Sequence, residues 1–479
     1  MDKGATSRRF EILCIFMLSF GQLCMMTGYD SLSFILESVI HSIHEREPER
    51  IGVLAGYYGQ AVCYFTYVLT CFISPSILYA TNAKTTLWIS AVCFTLFPVG
   101  FLFTNCYYYY FSSALLGVGF ALYYTGNGGY LTSHSTRQTI GSNVSLSWGF
   151  GCCCMMIGSV VMGVITFYTA DQAVDVVDVV SHHVQRSFSD SEIYLLFSFF
   201  SAVSMLSVFT FMFMPSKDIS NCIESSEKQI NFMDGMRLMK KTLMSPKIFR
   251  LAPSFLLCGV HTSFWLSVYP TSLMFNSHNA NMIYLPAIYC FAVGLGETLM
   301  GMMISTMNRR INDFSLRPAM LIGCILSIIY YTLALLTTPY NSTTTPTTLQ
   351  PLLCQPSRYF VFLVGLIAGV SDCCFCSVRS TICAIAMPTR RAQAFSVSKI
   401  YQSLGTCVIF FISPWLNIYY YTIGIQILSV LSTILFFREA KRTKIMERKI
   451  TMELEAESKL NLELEAAKLE YDLRNGVTA

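Results

Sequence analysis

The feature that most constrains this chain is a series of long apolar stretches that carry no acidic or basic side chain. One stretch lies between Lys84 and Arg137, and another lies between Lys399 and Arg438. A membrane-spanning helix needs about 20 apolar residues, so each of these stretches predicts two spans joined by a turn. Because 53% of the residues are hydrophobic and only 13% are charged, a soluble globular domain is excluded. The sequence therefore predicts a multi-pass integral membrane protein.

The same length rule, applied along the chain, predicts an all-α membrane protein with twelve transmembrane helices in two six-helix halves. The spans are predicted at residues 10–38, 52–78, 85–104, 107–131, 143–168, 192–214, 250–274, 282–305, 318–338, 357–385, 396–415 and 418–437. A linker at 215–249 separates the N-terminal half, 1–214, from the C-terminal half, 250–437, and a charged tail follows at 438–479. This is the organisation of the major facilitator superfamily.

The linker contains apolar residues at helical spacing, with basic residues on the other faces. The apolar positions are Phe232, Met236, Met239 and Leu243, and the basic ones are Arg237, Lys240 and Lys241. This pattern favours an amphipathic helix on the inner membrane surface. A solvated linker is the alternative. The tail is expected to form a solvated cytoplasmic helix.

Basic residues in the loops predict the orientation, because Lys and Arg stay on the cytoplasmic side during insertion. With the N-terminus inside, only four arginines remain outside: Arg46, Arg50, Arg186 and Arg358. Twelve spans then place both termini in the cytoplasm, at either the plasma membrane or an endomembrane. The sequon at Asn341 falls in a predicted external loop, which predicts a glycoprotein. The sequon at Asn143 would be cytoplasmic or buried and is expected to stay unmodified.

Ionisable residues inside the predicted spans are candidates for function. They are Asp30, Glu297, Asp372 and Arg379. A charge at this depth costs about 2.5 to 3.5 kcal/mol on insertion scales. The carboxyl groups are expected either to contact a substrate or proton in a central cavity or to join helices as polar contacts. For Arg379, near the predicted inner end, a structural role with a snorkelling side chain is favoured.

Several classes of function are not expected for this chain. No nucleotide-binding loop, catalytic triad or zinc motif occurs, so neither an enzyme nor a cofactor or nucleic-acid site is predicted. The grouped cysteines are interpreted as small apolar packing residues rather than metal ligands. They are Cys152, Cys153, Cys154, Cys373, Cys374 and Cys376.

Six short segments resemble motifs of the Unc-ninety-three-like family within the major facilitator superfamily. They are Gly129-Tyr-Leu-Thr132, Thr139-Ile-Gly-Ser-Asn143, Gly294-Leu-Gly-Glu297, Gly369-Val-Ser-Asp372, Ala392-Gln-Ala-Phe-Ser-Val-Ser-Lys-Ile-Tyr-Gln402 and Phe410-Phe-Ile-Ser-Pro414. The likeness extends over most of the chain and is greatest to the orphan major-facilitator-domain branch. Two features depart from the pattern: Ser142 stands where the family has a basic residue, and the charged motif between spans two and three keeps only Lys84.

The resemblance implies two kinds of function. Well-understood members of the family regulate potassium channels or escort innate immune receptors, which favours an accessory, regulatory or trafficking subunit with a channel or receptor as partner. The alternative is a proton-coupled secondary transporter of a small solute, with Asp372 and Glu297 as coupling carboxylates near the repeat interface. No oligomeric state is predicted.

Overall fold

The protein is almost entirely helical. The computed structural model describes residues 3–136, 139–180, 188–219, 222, 232–280, 282–308, 310–311, 313–387 and 390–474. Within these ranges the helices are α1 (Lys3–Ser33), α2 (Leu36–Arg46), α3 (Ala55–Ala80), α4 (Ala83–Val99), α5 (Cys106–Ser133), α6 (Ile140–Val180), α7 (Asp190–Phe213), α8 (Phe232–Leu243), α9 (Pro246–Ser263), α10 (Tyr269–Met274), α11 (Leu285–Asn308), α12 (Arg317–Thr337), α13 (Arg358–Ala386), α14 (Arg391–Ile412) and α15 (Ile418–Arg474).

The long helices agree with the predicted set of membrane spans. Eleven helical segments of the described chain are long and apolar enough to cross a membrane. One of them combines α9, a π-helical turn and α10. The remaining predicted span corresponds to α5, which is 28 residues long but contains many tyrosine and glycine residues that lower its mean hydropathy. Length thus identifies this helix where hydropathy does not.

The boundaries differ from the prediction at three places. The predicted first span, 10–38, is broken after Ser33, and the chain continues as α2. The predicted span 143–168 lies inside the longer α6. The last span does not end at 437, because α15 continues without a break to Arg474. Its Glu-, Lys-, Leu- and Ala-rich continuation consists of strong helix formers, which explains the uninterrupted helix.

We call α1–α7 the N-terminal half and α9–α15 the C-terminal half. Along the interface between them, α3 packs against α14 and α6 packs against α11. The end of the bundle at which α1 begins is called the inner end, and the opposite end is the outer end. The inner end is the one that the sequence predicts to be cytoplasmic.

Contacts between the halves are found on the outer side of the bundle. The hydroxyl of Tyr57, at the start of α3, donates a hydrogen bond of 2.6 Å to the carbonyl of Thr343. The ring of His41 in α2 lies 5.0 Å from that of Phe275, measured between centroids. Burial lowers the pKa of His41, which favours the neutral imidazole in this aromatic contact. These contacts hold the outer ends of the two halves together.

The predicted linker helix is present as α8. Its buried face consists of Gly235, Met239 and Thr242, whereas Phe232 is 42% exposed. This face packs against α3 and α14, and the hydroxyl of Ser76 donates a hydrogen bond of 3.2 Å to the carbonyl of Phe232. The helix therefore lies beneath both halves at the inner end.

Candidate functional site

Two glycine motifs bring α11 and α13 into close contact at the centre of the C-terminal half. A Cβ atom on Gly369 would collide with the backbone carbonyl of Val293, and one on Gly296 would collide with that of Leu366. Only glycine permits this approach of the two backbones. The crossing places Glu297, which follows Gly296, beside Asp372, which lies three residues after Gly369. The carboxyl groups of these two residues are close enough to interact electrostatically.

Asp372 is held by donors from α9 and the turn that follows it. The indole nitrogen of Trp265 donates a hydrogen bond of 2.8 Å to its Oδ1, and the hydroxyl of Thr262 lies 3.4 Å from the same atom. Trp265 belongs to the π-helical turn Phe264–Val268, which precedes Pro270. A proline has no backbone N–H for the regular helical hydrogen bond, which accounts for the irregular turn. With only 6% of its surface exposed, Asp372 is a buried and well-bonded carboxyl group.

The third acidic side chain comes from the N-terminal half. Asp30 in α1 accepts a weak hydrogen bond from the thiol of Cys154 in α6, with 3.4 Å between Oδ2 and Sγ. It interacts electrostatically with both Asp372 and Glu297. Asp30 and Glu297 are half-buried rather than fully enclosed. The structure thus brings the three sequence-predicted carboxyl groups together from both halves; we call them the acidic group.

Two basic side chains lie on the inner side of the acidic group. Arg379 of α13 is 3% exposed, and its Nη1 donates a hydrogen bond of 3.3 Å to the hydroxyl of Ser398. Its guanidinium carbon also lies 5.1 Å from the centre of the Phe395 ring. The expectation that Arg379 snorkels to the membrane surface is therefore wrong, because its side chain turns toward α14 and is enclosed there.

The second base is Lys399 of α14, which the sequence analysis used only as the boundary of an apolar stretch. It is 5% exposed, and its Nζ lies 3.7 Å from the centre of the Tyr124 ring in the N-terminal half. Lys399 and Arg379 are close enough to interact electrostatically. We call them the basic pair. Among the described residues, no carboxylate forms an ion pair with either of them.

His261, next to this cluster, has partners on both ring nitrogens. Its Nδ1 bonds to the hydroxyl of Tyr331, and its Nε2 lies 3.0 Å from the hydroxyl of Ser371. The imidazole is fully buried. His261 is thus a satisfied polar group that joins α9, α12 and α13.

Two further acidic residues in the first helices were missed from the sequence. Glu11 is buried, pairs with Arg8 at 2.8 Å, and accepts a hydrogen bond of 2.7 Å from the side chain of Asn143. The family-like motif at the start of α6 therefore contacts α1. Asn143, the acceptor residue of the second sequon, is buried in this contact. Glu37 is buried beneath the start of α3, where Gly56 leaves room for its carboxyl group. A search of the predicted spans for charged residues could have identified both, since each lies inside the predicted first span.

The acidic group and the basic pair together are chemically suited to binding a charged ligand and to exchanging protons. Two neighbouring carboxyl groups, such as those of Glu297 and Asp372, favour a proton on one of them, because two adjacent negative charges repel each other. Ionisable residues at membrane depth commonly mark proton or substrate paths. Across the part of the chain that the structure describes, no group of three or more His, Cys, Asp or Glu residues could hold a metal ion.

Comparison with known proteins gives a family for most of the chain. Residues 47–437 match the model of the family described as "Ion channel regulatory protein UNC-93". The UNC93-like protein MFSD11 of Xenopus tropicalis is 22% identical over 448 residues, which cover 89% of this chain and 95% of that protein. The protein of the same name from Xenopus laevis is 22% identical over 449 residues, with the same two coverages.

Solved structures with the same fold are transporters. The peptide transporter POT in complex with sulfate superposes with a TM-score of 0.62 at 9% identity, covering 94% of this chain and 99% of that one. A bacterial homologue of the human drug peptide transporters PepT1 and PepT2 gives a TM-score of 0.58 at 12% identity, covering 91% and 99%. At this identity the likeness shows the fold alone. The protein thus has a major facilitator fold and belongs to the UNC-93 family.

Proposed function

We propose that this protein is a proton-coupled secondary transporter of a small charged solute. The observation that carries the proposal is the acidic group, in which carboxyl groups from both halves meet while two of them stay half-buried. In facilitator folds, the two halves rock about a central site at their interface. A change of protonation there alters the charge of the site and so couples a proton to the movement of a solute.

The outer contacts between the halves support this proposal. They include the Tyr57–Thr343 hydrogen bond and the ring contact of Phe34 with Trp265, whose centroids are 5.9 Å apart. Trp265 also donates to Asp372, so the outer contacts and the acidic group share one side chain. Protonation of the acidic group can thereby act on the contacts that hold the outer ends together.

The test compares cells that produce the wild-type protein or Asp372→Asn at matched surface amounts. Asparagine keeps an oxygen that can accept the Trp265 hydrogen bond but removes the titrating group. We expect wild-type cells to accumulate or lose a charged metabolite in acidic medium, as measured by untargeted mass spectrometry, and the variant to show no such difference. An equal pH-dependent change in both cell lines would remove the coupling role of Asp372. Glu297→Gln provides a second, independent removal of a carboxyl group.

A second candidate is an accessory subunit that regulates or traffics a channel or receptor. It is favoured by the matching family, which is described as an ion channel regulatory protein, and by the charged motif between spans two and three, which keeps only Lys84. Quantitative mass spectrometry of the tagged protein from native membranes tests it, with a tagged facilitator transporter of similar abundance as the control. Recovery of a channel or receptor at near-equal stoichiometry would favour this candidate over transport.

We also propose that both termini are cytoplasmic and that Asn341 carries an N-linked glycan. Asn341 is exposed at the outer end, whereas the neighbouring Ser342 and Thr343 are buried by contacts with the bundle. Modification would therefore precede the final packing of this loop. Such a glycan would assign the outer end to the lumenal or extracellular side.

A further inference from the structure

We propose that the central site takes a soluble organic anion and that Arg379 and Lys399 hold its carboxylate, phosphate or sulfonate group. This inference deepens the proposed function and rests on it, because it names the class of solute for the same site. It depends on a difference between the acidic group and the basic pair in how their charges are satisfied.

Two members of the acidic group accept hydrogen bonds from protein groups. Asp372 accepts from Trp265 and Thr262. Asp30 accepts from Cys154. A cationic ligand would have to compete with these donors for the same oxygen atoms. Asp372 and Asp30 are thus already bonded to protein groups.

The basic pair has no comparable set of partners. The Nε of Arg379 is buried without a hydrogen-bond partner, and a single hydroxyl, that of Ser398, accepts from its Nη1. For Lys399, Nζ lies 3.7 Å from the centre of the Tyr124 ring. An aromatic face attracts a cation but does not neutralise its charge. Keeping two adjacent basic groups charged in the protein interior without a counter-charge is costly, and an anion between them would remove that cost.

The surroundings of the basic pair indicate the kind of anion. Phe395 lies against Arg379, and Tyr124 lies against Lys399, so apolar ring surfaces flank both charges. The pair also joins the two halves, since Tyr124 belongs to α5 and both bases belong to the C-terminal half. Asp372 lies seven residues before Arg379 in α13, about 10 Å along the helix axis. The ring surfaces beside both charges favour an anion with a compact aromatic or aliphatic body over an inorganic ion.

The experiment measures the melting temperature of the purified full-length protein in detergent with four probes at equal ionic strength. The probes are benzenesulfonate, inorganic phosphate, choline and phosphatidylglycerol. We expect benzenesulfonate to raise the melting temperature of the wild-type protein by several degrees, phosphate to raise it less, and choline to leave it unchanged. Lys399→Gln and Arg379→Gln should each abolish the shift, while Lys399→Arg should keep it. Lys441→Gln, at an exposed position of α15, is the matched control.

The melting temperature without any probe gives a second readout that needs no ligand. If the basic pair is an anion-binding site that is empty in the absence of a probe, Lys399→Gln should raise this temperature, because it removes an uncompensated buried charge. A structural lysine would give a decrease. This measurement also shows whether each variant folds.

The proposal is overturned if no soluble anion shifts the wild-type protein, if choline shifts it instead, or if both glutamine variants keep the full shift. A response to phosphatidylglycerol alone would assign the pair to a lipid headgroup and overturn the solute assignment. The outcome is separate from that of the proposed function, since binding is measured without transport. An anion shift that depends on Lys399, combined with no proton coupling, would refute the transporter and leave the anion site standing.

Discussion

The acidic group and the basic pair lie side by side in the same membrane-embedded cluster, yet their environments differ. Asp372 and Asp30 accept hydrogen bonds from protein groups, the strongest being the 2.8 Å hydrogen bond from Trp265 to Asp372. The basic side chains are more deeply buried, at 3% and 5% exposure for Arg379 and Lys399, and no acidic residue among those described pairs with them. The difference teaches that ionisable side chains of one cluster can differ in how fully protein groups satisfy their hydrogen bonds and charges.

The contrast also predicts opposite changes in stability for substitutions in the two regions. Removing a side chain from the acidic group should lower stability, because a buried donor loses its acceptor. Removing a charge from the basic pair should raise the stability of the ligand-free protein. A gain of stability in the acidic group, or a loss in the basic pair, would contradict this comparison.

The largest effect is expected for Gly369→Ala, which tests the helix crossing beneath the acidic group. The added methyl group meets the backbone carbonyl of Val293, which cannot rotate away. Overpacking of this kind costs about 1–3 kcal/mol, so a lower melting temperature and a lower yield of monodisperse protein are expected. Gly424→Ala in α15 is the control, because nothing lies within 4 Å of its added Cβ. Equal behaviour of the two variants would show that the crossing is not tight.

The next effect is expected for Asp372→Ala, which leaves the indole N–H of Trp265 without its acceptor. An unsatisfied buried donor costs about 1–3 kcal/mol. Thermal unfolding should therefore show a clear loss for Asp372→Ala and a smaller one for Asp372→Asn, which keeps an acceptor oxygen. A double-mutant cycle with Trp265→Phe should give a coupling energy of about 0.5–3 kcal/mol. Additive losses of stability in the two single variants would show that Trp265 and Asp372 do not interact.

A smaller effect is expected for Tyr57→Phe, which removes the hydroxyl that joins the halves at the outer end. The hydrogen bond to Thr343 should contribute about 0.5–1.5 kcal/mol. Its loss should increase labelling of thiols introduced on the outer side of the acidic group by a membrane-impermeant reagent. Tyr107→Phe serves as control, since this tyrosine at the same end is 87% exposed. Unchanged labelling in the Tyr57 variant would remove this hydrogen bond from the outer contacts.

The smallest effect on stability is expected for Asn341→Gln, which tests the orientation of the cluster in the membrane. The exposed side chain makes no packing contribution, so the melting temperature should stay the same. Electrophoretic mobility should change to that of the enzymatically deglycosylated wild-type protein. Asn143→Gln should leave the mobility unchanged, because Asn143 is buried against Glu11. A glycan at Asn143 instead would invert the predicted topology.

Much of the fold could be predicted from the sequence, because apolar length is a strong local signal in a membrane protein. α7, predicted at 192–214, lies at Asp190–Phe213. The break between α1 and α2 and the continuation of α15 were missed, since both depend on features that a hydropathy pattern does not contain. The acidic group was identifiable for the same reason as the spans: a carboxyl group stands out in an apolar stretch.

Lys399 shows why the rest of the site could not be predicted. A basic residue near the edge of an apolar stretch is indistinguishable in sequence from one that ends a span at the membrane surface. Only the position of α14, which begins at Arg391, places Lys399 two turns inside the helix and against Tyr124. Trp265 likewise reaches Asp372 through a π-helical turn that no periodicity in the sequence indicates.

The most direct test of the account is proton flux in liposomes that contain the purified protein and a trapped pH-sensitive dye. A gradient of benzenesulfonate or phosphate is imposed, using whichever anion gives the larger thermal shift. The account predicts proton movement that follows the anion gradient in the wild-type protein and is lost in both Glu297→Gln and Lys399→Gln. Flux equal to that of protein-free liposomes, with folded wild-type protein present, would contradict it and favour an accessory subunit of another membrane protein.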